Sequence, residues 1–510
     1  MTPPSQRPED DRSGGPDGNP DPAARTWPVG SRLGDADAAV DWDLLVVGGG
    51  TAGLVGAQTA AALGARVLLV ERDRTGGECL WSGCVPSKAL LAAAAAAADA
   101  RRAHRLGVRA EVSVDFPAVM AHVRAAVEEI RPVDAPEALE AAGVRAVRGT
   151  VLFTGPTTAA VDGREVRFAR ALLATGSQPA VLTLPGADGA APLVPDDLWD
   201  LDELPDRLVV VGGGTTGAEM AQAFARLGSH VVLVEAGPRL LPGEDADAAA
   251  VVADALRADG VDVRTGARAT SVQPGAAGTG ALVLADGAEV PYDRLLLAGP
   301  RRPRLEGLGL RAAGVEVGDD GQLVIDGLRT TSPRVWAAGD VTGEDTYTHT
   351  AGVRGSNAAV AAVLGLPRRP SRVVPRVTFT DPELAAVGEP TTGARAGRRV
   401  LHLAHDHVDR AVAEGRTEGF TRVVVDRRGR VRGAVVVGPR AGEVLAELTA
   451  AVVDGTTTSG LVARTHPYPT YGDGPWNAAI ADYRRWLGTA PVRAVTRALV
   501  AARRRLPVRG

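Results

Sequence analysis

Both cysteines of this 510-residue chain, Cys79 and Cys84, lie in one stretch, GGECLWSGCVPSK, and so does its single lysine, Lys88; the other 56 of its 57 basic residues are arginine. Two thiols five residues apart can cycle between dithiol and disulfide, can bind a soft metal ion, or can sit buried and inert. A reacting thiol must be deprotonated, so positive charge nearby would help. On a regular helix the two Cα atoms would stand roughly 8–9 Å apart, beyond the approximately 4.4–6.8 Å that a disulfide spans. A bonded pair therefore needs an irregular segment, and Gly83 and Pro86 permit one. The run LLAAAAAAADARR that follows predicts a regular helix, because alanine and leucine are strong helix formers.

Two elements flank this stretch. In DLLVVGGGTAGLVGAQTAAALGARVLLVER, a buried strand from Leu44 to Val47 runs into Gly48-x-Gly50-x-x-Gly53, then an Ala-rich helix, then a strand from Val67 to Val70 ending at Glu71. The first glycine permits the tight turn, the second lets backbone approach a pyrophosphate, and the third lets helix and strand pack closely. The helix N-terminus turns its unpaired N–H groups toward the phosphates. Glu71 lies 18 residues after Gly53, where an acid can hydrogen-bond a ribose hydroxyl. The pattern recurs in RLVVVGGGTTGAEMAQAFARLGSHVVLVEAGPRLLP, with Gly212, Gly214, Gly217 and, again 18 residues on, Glu235. A lone glycine motif is weak, but two complete strand–glycine–helix–strand–acid units imply two dinucleotides. Glu235 would repel a 2′-phosphate, which favours NAD(H) over NADP(H); Arg239 close by is the feature that would suit NADP(H). With two such units around it, CxxxxC reads as a redox pair rather than two inert thiols.

GGECLWSGCVPSK resembles the redox-active disulfide motif of the pyridine nucleotide-disulfide oxidoreductases, the family of lipoamide dehydrogenase, glutathione reductase and mercuric reductase. The similarity runs from about Trp42 to Trp486. LLATGSQP, with Thr175, Gly176 and Ser177, resembles the end of the first FAD segment. TTSPRVWAAGDVTG resembles the second FAD motif, with Gly339 and with Asp340 on the ribityl chain. PRVTFTDPELAAVG and GFTRVVVDRRGRVRGAVVVG resemble the C-terminal interface domain. The resemblance implies an α/β fold of two Rossmann-like domains, for FAD and NAD, plus an α+β interface domain that makes a homodimer. It implies electrons passing from NADH through FAD to a Cys79–Cys84 disulfide, with Cys84 on the flavin side and Cys79 facing a small-molecule acceptor. Lys88 would reach the flavin and pair with Glu219. The resemblance implies FAD-binding over 41–182 and 300–370, NAD-binding over 183–299 and dimerisation over 371–489; the Pro-, Gly- and Asp-rich residues 1–40 read as a disordered tail and 490–510 as a basic one.

The pattern breaks near the C-terminus. The family's disulfide reductases carry HxHPTxxE, whose second histidine and glutamate form a proton-shuttling dyad. This chain reads HPYPTYGD: His466 matches the first histidine, Tyr468 replaces the second, and Asp473 replaces the glutamate. A tyrosine titrates near 10 and is a poor shuttle at neutral pH, and His466 reads as a structural residue slightly before a catalytic one. Mercuric reductases share the tyrosine but need a C-terminal cysteine pair, and ALVAARRRLPVRG has none. Pro300 stands where the family usually has glycine. The acceptor is therefore a disulfide, a metal or another electrophile, or a quinone with the cysteines only storing electrons. No resident metal is expected.

Composition fits this reading. Hydrophobic residues at 45% and charged residues at 23% suit a globular protein of several domains. A net charge of −4 argues against a nucleic-acid partner. Two cysteines cannot form a secreted disulfide framework, and the Pro-, Gly- and Asp-rich start lacks a signal-peptide core, so a cytoplasmic chain is expected. No apolar run reaches the approximately 18 residues of a membrane span. The basic end, APVRAVTRALVAARRRLPVRG, reads as a solvated helix ahead of a membrane-surface contact.

Overall fold

Near-continuous runs of Leu and Val, such as Leu44–Val47 and Val67–Val70, suit strands buried on both faces. In the computed structural model, which describes residues 27–28, 31–180 and 184–505, these two runs pair in parallel, Leu44 opposite Val67 and Val47 opposite Val70. The described chain sorts into two units. One holds the chain up to Trp81 with Val127–Gln178 and Arg301–Pro370; the other holds Ser82–Ala126, Pro179–Pro300 and everything from Ser371 onward.

Among the described residues the first unit is built on a nine-stranded sheet. Its parallel centre runs Val335–Ala337, Arg164–Leu173, Asp41–Val47, Val67–Glu71, Val144–Arg148. On one face, helices Thr51–Ala62 and Thr348–Leu364 bury alanines and glycines, including Ala52, Ala57, Ala351 and Ala358. The two helices approach closely enough that a Cβ on Gly355 would lie 2.2 Å from the Ala52 carbonyl oxygen, and one on Gly56 would lie 3.2 Å from the Gly355 carbonyl oxygen and 2.6 Å from Leu172 Cδ2 of the sheet beneath. The other face carries larger side chains, Phe153, Phe168 and Val335 among them, under the antiparallel strands Val151–Gly155 and Thr158–Val161.

The disorder expected up to Val40 does not extend that far. Asp35–Ala38 form a short helix, Trp42 donates its indole N–H to the Asp37 carbonyl at 3.1 Å, and Arg145 grips the Asp37 carboxylate at 3.0 Å. The sequence bias toward Asp and Gly is local, whereas the arginine that orders Asp37 comes from 108 residues away. The rest of that expected tail, 1–26 and 29–30, lies outside the described residues.

Among the described residues the second unit contains three sheets. Asp262–Thr265, His230–Glu235, Arg207–Val211 and Arg294–Leu297 form a parallel sheet, and Ala269–Pro274, Gly280–Leu284 and Glu289–Tyr292 an antiparallel one. The third is a five-stranded antiparallel sheet in the order Arg376–Thr378, Glu383–Gly388, Val431–Gly438, Phe420–Val425, Arg399–Ala404. Helix Ala441–Asp454 buries Leu445 and Leu448 in the core of that sheet. One apolar cluster joins Leu90 and Ala94 of helix Cys84–Arg102 to Met220 and Phe224 of helix Thr215–Leu227 and to Leu384 and Val437 of the five-stranded sheet. This shared core is why residues 82–126 group with the second unit rather than with the rest of 41–182.

Among the described residues one helical run, Gly77–Leu106, is long and apolar enough to span a bilayer by length and composition, where the sequence pattern predicts none. Alanine carries that hydropathy, and Leu90, Ala94 and Ala98 are buried against protein. The turn AGPRRP is also resolved: Arg301–Pro303 forms a two-stranded ladder with Ser177–Pro179, and the Pro300 carbonyl accepts from Ala180 N–H at 2.9 Å.

Gly355→Ala should lower stability by roughly 1–3 kcal/mol through overpacking, although alanine is favoured over glycine in a helix by about 1 kcal/mol. Gly352→Ala in the same helix, where the new Cβ would meet Thr51 Cγ2 at an ordinary 3.6 Å, should be neutral or stabilising. Urea unfolding midpoints of the two variants give the comparison.

Candidate functional site

The two dinucleotide motifs fold alike. Gly48 and Gly212 adopt φ of +107° and +116°, a region that L side chains rarely enter. A Cβ on Gly53 would stand 1.9 Å from the Gly48 oxygen, and one on Gly217 would stand 1.8 Å from the Gly212 oxygen. At the middle glycines the surroundings are open. A Cβ on Gly214 would meet nothing within 4 Å, and one on Gly50 only Gly77 Cα at 3.8 Å. The space in front of each helix N-terminus is thus left for something other than protein, which fits a pyrophosphate.

The acids are fixed in matching ways. Glu71 accepts from Gly49 N–H at 2.7 Å and Asp73 N–H at 2.8 Å, and burial pushes its carboxyl up. Glu235 accepts from Gly213 N–H and Gly237 N–H, both at 2.6 Å. Arg239 does not reach outward. Its guanidinium donates to the carbonyls of Leu240, Leu241, Pro242 and Glu244 at 2.6–3.3 Å.

In the first unit, Gly339 at φ +80° lies against Ala52 in the first turn of helix Thr51–Ala62, and Asp340 follows it. Ser177 donates to Asp340 Oδ2 at 2.9 Å, Arg301 Nε donates to Ser177 Oγ at 3.0 Å, and Arg301 pairs with Glu78 at 2.5 Å. Thr175 donates to the Arg304 carbonyl at 2.7 Å, and the Gly176 carbonyl accepts from Arg304 N–H at 3.0 Å. The Asp340 motif is therefore hydrogen-bonded to the strand that carries Ser177 and, through Arg301, to Glu78, the residue before Cys79.

The cysteine stretch is irregular at the glycine. Cys79 sits in the short helix Gly77–Trp81, the helix breaks at Ser82–Gly83, and Cys84 opens the 19-residue helix Cys84–Arg102. Both cysteines are half-buried. As the first residue of a long helix, Cys84 has the positive end of the dipole beside its sulfur, which favours thiolate. Trp199 fixes the break by donating to the Ser82 carbonyl at 2.9 Å.

One turn after Cys84, Lys88 Nζ stands 2.9 Å from Glu219 Oε2. Glu219 is only 4% exposed, against 39% for Lys88. Phe379 completes the pair: its N–H donates to Glu219 Oε1 at 2.9 Å, and its ring lies 4.3 Å from the ammonium. Two residues on, Asp381 meets Arg102 at 2.8 Å, Arg226 at 2.9 Å and Arg416. Burial alone would raise the Asp381 carboxyl, but Arg226, Arg416 and the Arg102 hydrogen bond outweigh it and hold its pKa at about 2. Sequence reading marked FTDPE as an interface motif without giving Phe379 or Asp381 a role. Phe379 meets Glu219 from 160 residues away, Asp381 meets arginines 35, 155 and 279 residues away, and no local pattern announces them.

The C-terminal residues do not assemble into one group. His466 is 8% exposed at its side chain and stacks on Trp476. Its Nε2 lies 2.9 Å from Glu447, and its Nδ1 lies 3.1 Å from the Arg464 carbonyl. Tyr468 is 68% exposed and donates to Asp409 at 2.6 Å, and that carboxylate raises the phenol pKa. Asp473 is buried, which raises its carboxyl, and it accepts a long 3.4 Å bond from Thr470 N–H. Glu447 and Asp409 were not singled out from the sequence, because neither lies in the HPYPTYGD motif.

Asp381→Asn should cost about 2 kcal/mol at neutral pH, the free energy equivalent of depressing a carboxyl from 3.8 to about 2. A depressed folded pKa stabilises above the unfolded pKa and is lost as pH falls through the folded one. The gap between wild type and variant in denaturant unfolding should therefore close between about pH 4 and pH 2.

Comparison with known proteins accounts for this arrangement. Residues 42–363 match the model of the pyridine nucleotide-disulphide oxidoreductases, and residues 374–479 match that family's dimerisation domain. A mercuric reductase of Streptomyces lividans is 36% identical over 453 residues, covering 86% of this chain and 95% of its own. A dihydrolipoyl dehydrogenase of Thermus scotoductus is 36% identical over 460 residues, covering 87% and 98%. Among solved structures, LpdA from Mycobacterium tuberculosis is 32% identical with a TM-score of 0.79, covering 86% and 99%. The Cu(II) complex of the HOCl-induced flavoprotein disulfide reductase RclA from Escherichia coli is 26% identical with a TM-score of 0.77, covering 87% and 99%. The chain belongs to the pyridine nucleotide-disulphide oxidoreductase family, an FAD- and pyridine-nucleotide-dependent enzyme whose dimerisation domain supports a homodimer.

Proposed function

We propose that this enzyme uses NADH to reduce a Cys79–Cys84 disulfide, and that the resulting dithiol delivers two electrons to a soft electrophile, a metal ion foremost. The observation that carries the reading is the position of Cys84, first in its helix and one turn from the Lys88–Glu219 pair. Bound FAD would supply hydride acceptance from the nicotinamide and electron transfer to sulfur. Gly48, Gly50, Gly53, Glu71, Gly176, Ser177 and Asp340 would hold it, and Gly212, Gly214, Gly217 and Glu235 would hold the nucleotide. The helix dipole favours Cys84 as thiolate, and the Phe379 amide and Glu219 hold the Lys88 ammonium at a fixed place.

The acceptor follows from what the HPYPTYGD loop lacks. A dithiol that reduces an ordinary disulfide needs an acid to protonate the leaving thiolate. Both nitrogens of His466 face acceptors of its own protomer, and Asp409 makes Tyr468 a weaker acid still. A soft metal ion needs no such proton, and two thiolates are soft ligands. A mercuric reductase among the relatives and a copper complex of a disulfide reductase among the structural neighbours are in keeping with a metal, whereas an equally similar dihydrolipoyl dehydrogenase and the missing C-terminal cysteine pair keep a disulfide as the competing acceptor. A quinone, which can take electrons directly from reduced flavin, is the second reading that the lack of an imidazole favours.

Anaerobic NADH titration of the yellow holoenzyme should raise a long-wavelength thiolate-to-flavin band after two electrons, and Cys84→Ser should lose that band. Bleaching of wild type without the band would sink the dithiol route. Turnover with Cu(II), Hg(II), lipoamide and menadione then sorts the acceptors: Cys79→Ser should abolish metal reduction and spare menadione. If lipoamide outpaces the metals, the acceptor assignment is wrong.

Glu235 and the self-bonded Arg239 support NADH as donor. Glu235→Ala should narrow the NADH-over-NADPH preference in kcat/KM by about tenfold, the worth of one charged contact near 1.4 kcal/mol. An unchanged ratio would show that the acid does not read the ribose.

A further inference from the structure

The helix Ala490–Arg505 buries none of its residues, and among 490–505 all but the half-buried Val492 are exposed. At 100° per residue, Val492, Val495, Leu499 and Ala502 fall on one side and Arg493, Arg497 and Arg504 on the other, with Arg503 at the edge of the apolar side and Val500 at the edge of the basic one. Val495 and Leu499 are 59% and 63% exposed, so the apolar side is not packed on its own protomer. Just before it, Trp486 is half exposed and stacks on Tyr483, with Arg484 and Arg485 alongside.

Charge separates this end from the body. After Asp482 the chain has eight arginines and no acidic residue, so the preceding residues hold 49 basic against 61 acidic side chains. A basic end with an apolar stripe is thus carried on a body of net charge −12, from 49 − 61. We propose that the helix Ala490–Arg505 docks on an anionic lipid surface, with its apolar side at the acyl boundary and its arginines among the headgroups.

Other occupants fit less well. A nucleic acid would meet the arginines but leave Val492, Val495 and Leu499 in water. A second copy of the helix would cover the apolar side but bring two acid-free arginine clusters together. An anionic membrane surface answers both sides, with each arginine near it worth about 1 kcal/mol at ordinary salt. One such helix binds reversibly, and the family's dimer would carry two, which adds avidity.

The test is co-sedimentation of the full-length holoenzyme with vesicles of phosphatidylglycerol and phosphatidylcholine, beside phosphatidylcholine alone. Binding should be at least about tenfold tighter to the anionic vesicles and should weaken as salt rises. Removal of residues 490–510, or Leu499→Glu, should abolish it while leaving the dimer mass and NADH turnover with a soluble acceptor unchanged. Equal partition to both vesicle types, or binding that survives the truncation, would overturn the proposal. A truncated protein that becomes monomeric would also overturn it, by assigning the helix to the contact between copies.

Discussion

A carboxylate that is 4% exposed must be matched by positive charge and donors, or burial would drive it to the neutral form. Glu219 meets that requirement with two partners from two other segments: the Lys88 ammonium on Oε2 and the Phe379 amide on Oε1. The constraint fixes helix Cys84–Arg102 along its axis, because Lys88 is one turn into it, and so fixes where Cys84 stands. It also fixes the Thr378–Asp381 stretch, whose next demand is the carboxylate of Asp381 among Arg102, Arg226 and Arg416. Arg102 closes the last turn of the helix that Cys84 opens. The helix is thus held by charge at both ends of its inner face, with Leu90 and Ala94 packed between. Loss of Glu219 would leave the half-exposed Lys88 ammonium without its carboxylate, and loss of Asp381 would leave Arg226 with Asp259 and Arg102 with Asp99 as their remaining partners.

What was legible in the sequence is what short-range physics dictates. The glycines at 48, 53, 212 and 217 are required by φ and by carbonyl oxygens within five residues, and Glu71 and Glu235 bind the glycine turn of their own unit. The break between the cysteines also follows from its own residues, with Gly83 set between two helices. The Lys88–Glu219 pair spans 131 residues and was visible only through likeness to a family. Phe379, Glu447 and the arginines around Asp381 had no local signature at all. In a chain where nearly every basic residue is arginine, a sequence cannot mark which arginines are buried ones. The same blindness misread residues 31–40, whose order depends on Arg145.

The C-terminal loop shows how a substitution redistributes chemistry rather than deleting it. Tyr468 and Tyr471 both donate to carboxylates of one short helix, Asp409 and Glu414 of Asp409–Glu414, at 2.6 and 2.8 Å. His466 is held from below by Glu447 and Trp476. The loop is therefore well anchored, yet the group it presents to solvent is a phenol whose proton is held by an adjacent carboxylate. Such a group orients and hydrogen-bonds well but releases a proton poorly at neutral pH. Under the proposed function, a Cys84 thiolate at its helix N-terminus and a loop that offers a phenol in place of an imidazole would suit an acceptor that takes electrons and sulfur ligands better than one that must leave as a protonated thiol. On the proposed reading, selectivity would rest on the softness of the two sulfurs rather than on proton transfer, and the balance of metal against disulfide turnover is the property that would reveal it.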